Sequence, residues 1–285
     1  RRVGQNGNRC RGGAHGHADR GPCIQPEEFA VDIQDRIVVV TGAAGGIGRA
    51  LAQTFAKAGA RKVVCADLDG DGADAVAREV GGIGRKADVA READIQDLIE
   101  QTEAEVGPID LFCSNAGIFT LGGPEVANDA WQRIWDINLM AHVWAARHLV
   151  PRMSARGGGS FLNTASAAGL LSQVGSAPYA VTKHAAVGFA EWLAFTYADQ
   201  GIKVSVLCPQ AVRTNMTLGH EDHVASIDGM LEPGPVAEAC LDAIRRETFL
   251  VLPHPEVLQY MRNKTADYDR WIGGMRKLNR RFSGA

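Results

Sequence analysis

The sequence predicts a doubly wound α/β fold, a single domain on a seven-stranded parallel sheet with helices on both faces. Three observations predict it. Short apolar runs alternate with longer helical stretches from Asp35 to about residue 252. The runs are β-branched and continuous rather than alternating, as strands buried on both faces of a parallel sheet require. The first of them leads directly into a glycine-rich turn that opens a helix.

Taken in order, the first strand is Ile37–Thr41 (IVVVT), followed by a helix over 49–58, a strand over 62–66 (KVVCA), a helix over 70–80, a short strand near 84–87 and a helix over 91–106. A strand over 109–114 (IDLFCS), one long helix around 125–151, a strand over 159–164 (GSFLNT) and a helix over 177–199 come next. The strand over 203–208 (KVSVLC), a last helix near 235–247 and a strand over 249–252 complete the set. Parallel strands joined through helices need right-handed crossovers, which place helices on both sheet faces in a Rossmann-type arrangement. Between Pro209 and Pro235 the rhythm breaks for longer than a structureless connection normally lasts, so 210–234 reads as a lid.

On either side of the α/β domain (29–253) lie two different segments. Residues 1–28 hold six Gly and five Arg with almost no large apolar side chain, and read as a disordered tail. Residues 254–285 read as a C-terminal helical extension, with Val257, Tyr260, Met261, Trp271, Ile272, Met275 and Phe282 on a basic background.

The net charge of −3 over 285 residues hides an uneven distribution. The tail carries five Arg against three acids and residues 262–285 carry seven basic against two acidic side chains, so the region between is strongly acidic. An acidic body excludes a nucleic-acid binder held by a basic field. No apolar run reaches the roughly eighteen residues of a membrane-spanning helix, and the N-terminus has no signal-like apolar run, so the expected location is cytoplasmic. The six cysteines show no CxxC spacing, which favours buried, reduced thiols. The cluster Cys10, His15, His17 and Cys23 fits no standard zinc pattern, and no metal is expected.

The turn Thr41–Gly48 (TGAAGGIG) has the strand-turn-helix setting of a dinucleotide site. Gly42, Gly46 and Gly48 allow a tight turn and close backbone approach, Ile47 lies in the same binding turn, and the pyrophosphate rests on the N-terminus of the helix that follows. Asp67 stands nineteen residues past Gly48 at the end of the second strand, where a carboxylate accepts hydrogen bonds from both ribose hydroxyls. The same carboxylate repels a 2′-phosphate. Ala44, Gly45 and Leu68 supply no neutralising cation, so NAD is expected rather than NADP.

These motifs, with others downstream, make residues 33–252 resemble the NAD-preferring short-chain dehydrogenase/reductases. The resemblance is carried by Thr41–Gly48, Asp88-Val89 after the third strand, Asn115-Ala116-Gly117 after the fourth, Asn138 in the next helix, Ser166 after the fifth strand and Tyr179-Ala-Val-Thr-Lys183. It implies that Asp88 and Val89 contact the adenine and that Asn115, Ala116 and Gly117 lie beside the cofactor, with Leu68 and Pro209 also on the binding surface. Ser166, Tyr179 and Lys183 would form the catalytic set, with Asn138 ordering a water that links Lys183 to solvent. The implied activity is NAD-dependent interconversion of a secondary alcohol and a ketone, with Tyr179 as general acid/base.

The chemistry of the residues agrees. Tyr179 and Lys183 are four apart on a helix, so their side chains share a face with Cβ atoms about 6 Å apart. A phenol titrates near 10 and needs lowering by about 2–3 units to act as a base at neutral pH. An ammonium at about 4.5 Å in an effective dielectric of about 20 supplies roughly 3.7 kcal/mol, which suffices. Ser166 can donate to the reacting oxygen as it gains charge.

There is one departure. Gln210 stands where the family commonly has glycine after Pro209, which predicts a shifted pocket wall with the amide of Val212 and the hydroxyl of Thr214 still meeting the nicotinamide carboxamide. By resemblance the substrate meets Ile118, Phe119, Ala168, Leu170, Leu171, Val174 and Met216, an apolar set. No cation occupies 167–178, and Arg213 is expected to face solvent or a lid acid such as Glu221 or Asp222, so the substrate is expected to be an uncharged alcohol or ketone. His184 is expected to face a neighbour or solvent. The helix bearing Trp192, Phe195 and Tyr197 resembles a subunit interface and implies a homo-oligomer, a tetramer or a dimer. Two rival readings compete with this one. The basic aromatic C-terminus suits a reductase of a lipid, steroid or terpenoid at a membrane surface, and the same scaffold also suits a non-catalytic NAD(H)-binding protein. The C-terminal segment is expected to cover a neighbouring subunit rather than a membrane.

Overall fold

The computed structural model describes residues 32–219 and 224–282. The expected N-terminal tail, the cluster Cys10, His15, His17 and Cys23, and the lid acids Glu221 and Asp222 lie outside the described residues.

The strands are β1 (Ile37–Thr41), β2 (Lys62–Asp67), β3 (Ile83–Lys86), β4 (Leu111–Ser114), β5 (Gly159–Thr164), β6 (Ile202–Leu207) and β7 (Leu250–Val251). They form one seven-stranded sheet in the order β3-β2-β1-β4-β5-β6-β7, with every neighbouring pair parallel. This is the doubly wound fold that the sequence predicts. The chain winds outward from β1 to β3, returns to lay β4 on the other side of β1, and winds outward again. The order therefore reverses between β1 and β4, which is where such sheets bind ligands.

Each strand divides its side chains between two cores, as its two-residue period demands. Val38, Val40, Val63, Cys65, Leu162 and Leu207 face one side, under α1 (Gly46–Lys57), α2 (Gly70–Val80) and α8 (Pro233–Arg245). Val39, Val64, Phe112, Phe161, Val204 and Val206 face the other, under α3 (Glu92–Glu105), α5 (Ala141–Ala155) and α7 (Ala177–Tyr197). Phe55, Phe112 and Phe161 are fully buried, and each such burial contributes about 1.5–3 kcal/mol. Cys65, Cys113, Cys208 and Cys240 are free and buried, and burial pushes the Cys65 and Cys208 thiols up to about 12.

The structure departs from the sequence reading in four places. β4 starts at Leu111 rather than at 109, and just before it the Asp110 carboxylate accepts the Ile37 amide at 2.8 Å. The long helix expected over 125–151 is two helices, α4 (Asn128–Trp135) and α5, joined by a π-helical turn over Asp136–Met140. Ser166 is followed by a one-turn helix, α6 (Ala168–Leu171). Finally α8 begins at Pro233, and Val212 pairs with Leu231 across the loop between β6 and α8.

Two further helices, α9 (Glu256–Ala266) and α10 (Tyr268–Phe282), continue past β7. Among the described residues no helix is long and apolar enough to cross a membrane.

Candidate active site

A cavity of about 690 Å³ opens at the carboxyl ends of the strands. Its size suits a site that holds a cofactor beside a small molecule. One end is the turn after β1. Gly42 and Gly46 take positive φ of 66° and 52°, the left-handed region open to glycine, and a Cβ on Gly48 would lie 2.0 Å from the Gly42 carbonyl oxygen. The N-terminus of α1 carries no side-chain cap and no acid in its first turn, whereas α2 is capped by Asp69, which accepts the Gly72 amide at 3.1 Å. Free N–H groups with no competing carboxylate fit a pyrophosphate.

Asp67 closes this end. Its carboxylate is fixed by the amides of Ala44, at 2.9 Å, and Asp69, at 3.0 Å. Leu68 and Asp88-Val89 line the same end. The Asp88 carboxylate accepts the Ala90 amide at 3.0 Å, which shapes the bend after β3.

The centre of the cavity is the gap between β1 and β4, and its polar groups satisfy one another. The Thr41 hydroxyl donates to the Cys113 carbonyl at 3.2 Å and accepts the amides of Asn115 and Ala116 at 3.0 and 3.2 Å. Asn115 donates from Nδ2 to the Thr41 carbonyl at 3.0 Å and accepts the Thr164 hydroxyl at 3.2 Å. The Thr164 carbonyl in turn accepts Lys183 Nζ at 2.8 Å.

Lys183 and Tyr179 rise from the same face of α7, and Nζ lies 5.6 Å from the centre of the phenol ring. The Ser166 hydroxyl faces the Tyr179 phenol, accepts the Ala168 amide at 3.1 Å and donates to the Pro209 carbonyl at 3.4 Å. Phe119 packs on the phenol with ring centres 4.9 Å apart. Ser176 caps α7 by accepting the Tyr179 amide at 3.2 Å, which fixes the first turn of the helix.

Burial of the phenol pushes Tyr179 above its ordinary 10, against the opposing effect of Ser166. Burial also lowers Lys183 to about 8. Behind it, His142 is 2% exposed with no hydrogen-bond partner on either ring nitrogen, and burial with the Lys183 charge pushes it down to about 3, so its ring is neutral.

All sixteen residues expected at the cofactor line the cavity, as does Ser166. Asn138 does not. Its side-chain oxygen accepts the Ile118 amide at 2.9 Å and its Nδ2 donates to the Ile118 carbonyl at 3.0 Å and to the Thr182 hydroxyl at 3.3 Å. The amide thus splints the π-helical turn to the segment after β4 and to α7. Of the apolar residues expected at the substrate, Ile118, Phe119, Ala168, Leu171, Val174 and Met216 line the cavity, while Leu170 packs toward α9. Arg213 pairs with Glu232 at 2.7 Å. His184 turns along its own helix, with Nδ1 2.8 Å from the Ala180 carbonyl oxygen.

The sequence reading missed three contributions. Arg133 of α4 stands exposed at the cavity rim. Ser172 takes a positive φ of 95°, a strained conformation for a residue with a Cβ, in the loop that walls the cavity. Tyr260, Trp271, Met275 and Leu278 of the C-terminal helices also line it. Only the amphipathic spacing of the last set could have signalled it.

Lys183 gives a test with a defined sign. Its pKa is about 8 in the fold against an ordinary 10.5, so between those values the unfolded chain binds more protons and stability from this group rises with pH. Relative to Lys183→Met, the wild type should gain up to about 1.4 kcal/mol per pH unit across that window, measured by urea unfolding. A difference that stays flat with pH would show that the ammonium is not desolvated.

Comparison with known proteins agrees with this geometry. A family profile described as short chain dehydrogenase matches residues 36–224. The 1-deoxy-11-beta-hydroxypentalenate dehydrogenase of Streptomyces exfoliatus is 35% identical over 250 residues, covering 84% of this chain and 90% of that protein. The 3beta-hydroxysteroid dehydrogenase 2 of Eggerthella lenta is 34% identical over 189 residues, covering 64% of this chain and 72% of that protein. Among solved structures, a short chain dehydrogenase/reductase from Burkholderia phymatum in complex with NAD superposes with a TM-score of 0.77 at 28% identity, covering 84% of this chain and 96% of that one. The chain belongs to the short-chain dehydrogenase/reductase family, oxidoreductases that act on hydroxyl groups with a nicotinamide cofactor.

Proposed function

We propose that the protein is an NAD-dependent dehydrogenase that interconverts an uncharged secondary alcohol and its ketone, with Tyr179 as general acid/base. One observation carries the reading: Ser166, Tyr179 and Lys183 converge at one end of a cavity whose other end presents the Asp67 carboxylate.

Asp67 supports NAD over NADP. Its two oxygens are oriented by backbone amides, leaving lone pairs for ribose hydroxyls, and it repels a 2′-phosphate. The cations lining the cavity, among the described residues, are Arg133 on α4 and Lys183 on α7. Neither belongs to the β2–α2 turn that holds Asp67.

In oxidation the bound cofactor supplies the hydride acceptor at nicotinamide C4. Ser166 donates to the substrate oxygen and holds it against Tyr179. Tyr179 removes the hydroxyl proton as the carbinol carbon loses hydride, and returns a proton in the reverse direction. Because burial raises the phenol in the protein alone, the base form depends on added positive charge at the site, from Lys183 and from the oxidised nicotinamide together. Lys183 is held for this role by the Thr164 carbonyl. Asn138 acts here as a positioning residue through its hold on Ile118 and Thr182.

The homo-oligomer reading, a tetramer or a dimer, is supported by Trp192 and Phe195, which remain 46% and 73% exposed on α7. Cytoplasmic location remains the expectation that accompanies this reading.

A panel of secondary alcohols with NAD and NADP side by side tests the proposal. NADH should form on at least one alcohol, with NADP the poorer cofactor, and Asp67→Ser should narrow that preference. Tyr179→Phe should lower kcat by about 10²–10⁴-fold while NADH still binds. Full turnover by Tyr179→Phe would overturn the mechanism. NADH binding without turnover on any alcohol would favour a non-catalytic binding protein.

A further inference from the structure

The C-terminal helices supply a wall of the same cavity, and their chemistry bears on the substrate. On α10 the positions Trp271, Met275 and Leu278 line the cavity, a spacing of four and three that defines one helical face. Arg270, Arg276, Lys277, Arg280 and Arg281 lie on the exposed remainder. The apolar face is thus turned into the cavity that Tyr179 and Ser166 also line, and the charged face toward solvent.

Two attachments hold this wall in place. Val257 of α9 is completely buried with Ala167 and Leu171, in a small apolar cluster against which Tyr260, Met261 and Trp271 pack. The cluster sits on α6, the turn directly after Ser166. Lys264 extends the contact by donating to the Leu170 carbonyl at 2.6 Å. The second attachment is Asp228, in the loop between β6 and α8. One of its oxygens accepts Gln210 Nε2 at 2.9 Å and the other accepts the Tyr260 hydroxyl at 2.9 Å. Glycine at position 210 could not make that bond, so the residue that departs from the family pattern is the one that ties the end of β6, the loop and α9 together.

We propose that α9 and α10 form a substrate-selecting roof: Trp271, Met275 and Leu278 hold the body of a bulky, uncharged, apolar alcohol whose carbinol carbon sits at Tyr179, and the Gln210–Asp228–Tyr260 bridge fixes the roof at its working height. The inference rests on the alcohol dehydrogenase reading above. A small alcohol would leave the three apolar side chains facing water. A fused-ring or long-chain one buries them, together with Leu171, Val174 and Met216, which line the same cavity. Charge agrees, because the cations of α10 lie on its exposed side and Lys264 of α9 is taken up by the Leu170 carbonyl, so neither helix adds a cation to the cavity lining.

The test uses the full chain saturated with NAD, which has no hydride to give a ketone, and titrates cyclohexanone and a panel of steroid-sized fused-ring ketones by calorimetry. The best fused-ring ketone should bind at least about tenfold more tightly than cyclohexanone, and Trp271→Ala should reduce that preference about tenfold. Trp271→Phe should restore most of it, and Ile272→Ala, on the exposed side of α10, should leave it intact. The proposal is overturned if the wild type shows no preference, if neither ketone type binds, or if Trp271→Ala keeps the full preference. Phosphatidylserine vesicles that bind the chain and abolish ketone binding would also overturn it, by assigning the apolar face to a membrane. Failure of the parent reading looks different: the fused-ring preference persists, but no alcohol is turned over.

Discussion

A continuous run of hydrogen bonds joins the carboxyl ends of β1, β4 and β5 to α7, and the site depends on it. Where strand order reverses, neighbouring crossovers leave in opposite directions and the strand ends stand apart with unpaired polar groups. Thr41 and Asn115 satisfy those groups mutually, Thr164 extends the network, and its carbonyl receives the Lys183 ammonium. Buried polar groups are costly unless paired, so each bond in the series defines the position of the next. The same constraint that keeps the sheet from splaying also fixes the height of Lys183 beneath Tyr179.

Around this fixed centre the walls differ in how firmly they are held. The turn after β1 is set by glycine geometry and by close approach, since a Cβ on Gly46 would lie 2.9 Å from Thr214 Cγ2. The phenol is held between Phe119 and Ser166. The outer wall depends on exposed polar bonds around Asp228 and on a small apolar cluster, both weaker than the core. A firm centre with a looser outer wall suits a site that must hold its reacting groups still and admit a bulky molecule.

The strands were legible because β-branched runs such as IVVVT leave no alternative in a buried parallel sheet, and the nucleotide turn was legible because glycine is required at Gly42, Gly46 and Gly48. The break between α4 and α5 was not legible. Its extra residue in the turn serves Asn138, whose partners Ile118 and Thr182 lie on other elements. The raised phenol escaped the Coulomb argument because that argument counts the ammonium and omits the loss of water around the ring. Periodicity gave α10 an apolar face, but periodicity cannot say which surface receives it. Gln210 stood out as a departure, yet its meaning lies in Asp228, 18 residues further along the chain, and in Tyr260 beyond that.

The most direct test of the account is a double-mutant cycle on kcat at saturating cofactor and alcohol, pairing Asn115→Ala with Lys183→Met. If the run of bonds acts by placing Lys183, Asn115→Ala alone should lower kcat by at least about tenfold, since small misplacements of reacting groups are that costly, and should add almost nothing once Lys183 is gone. Fully additive losses would contradict the account, because they would mean that Asn115 and Lys183 serve the reaction independently.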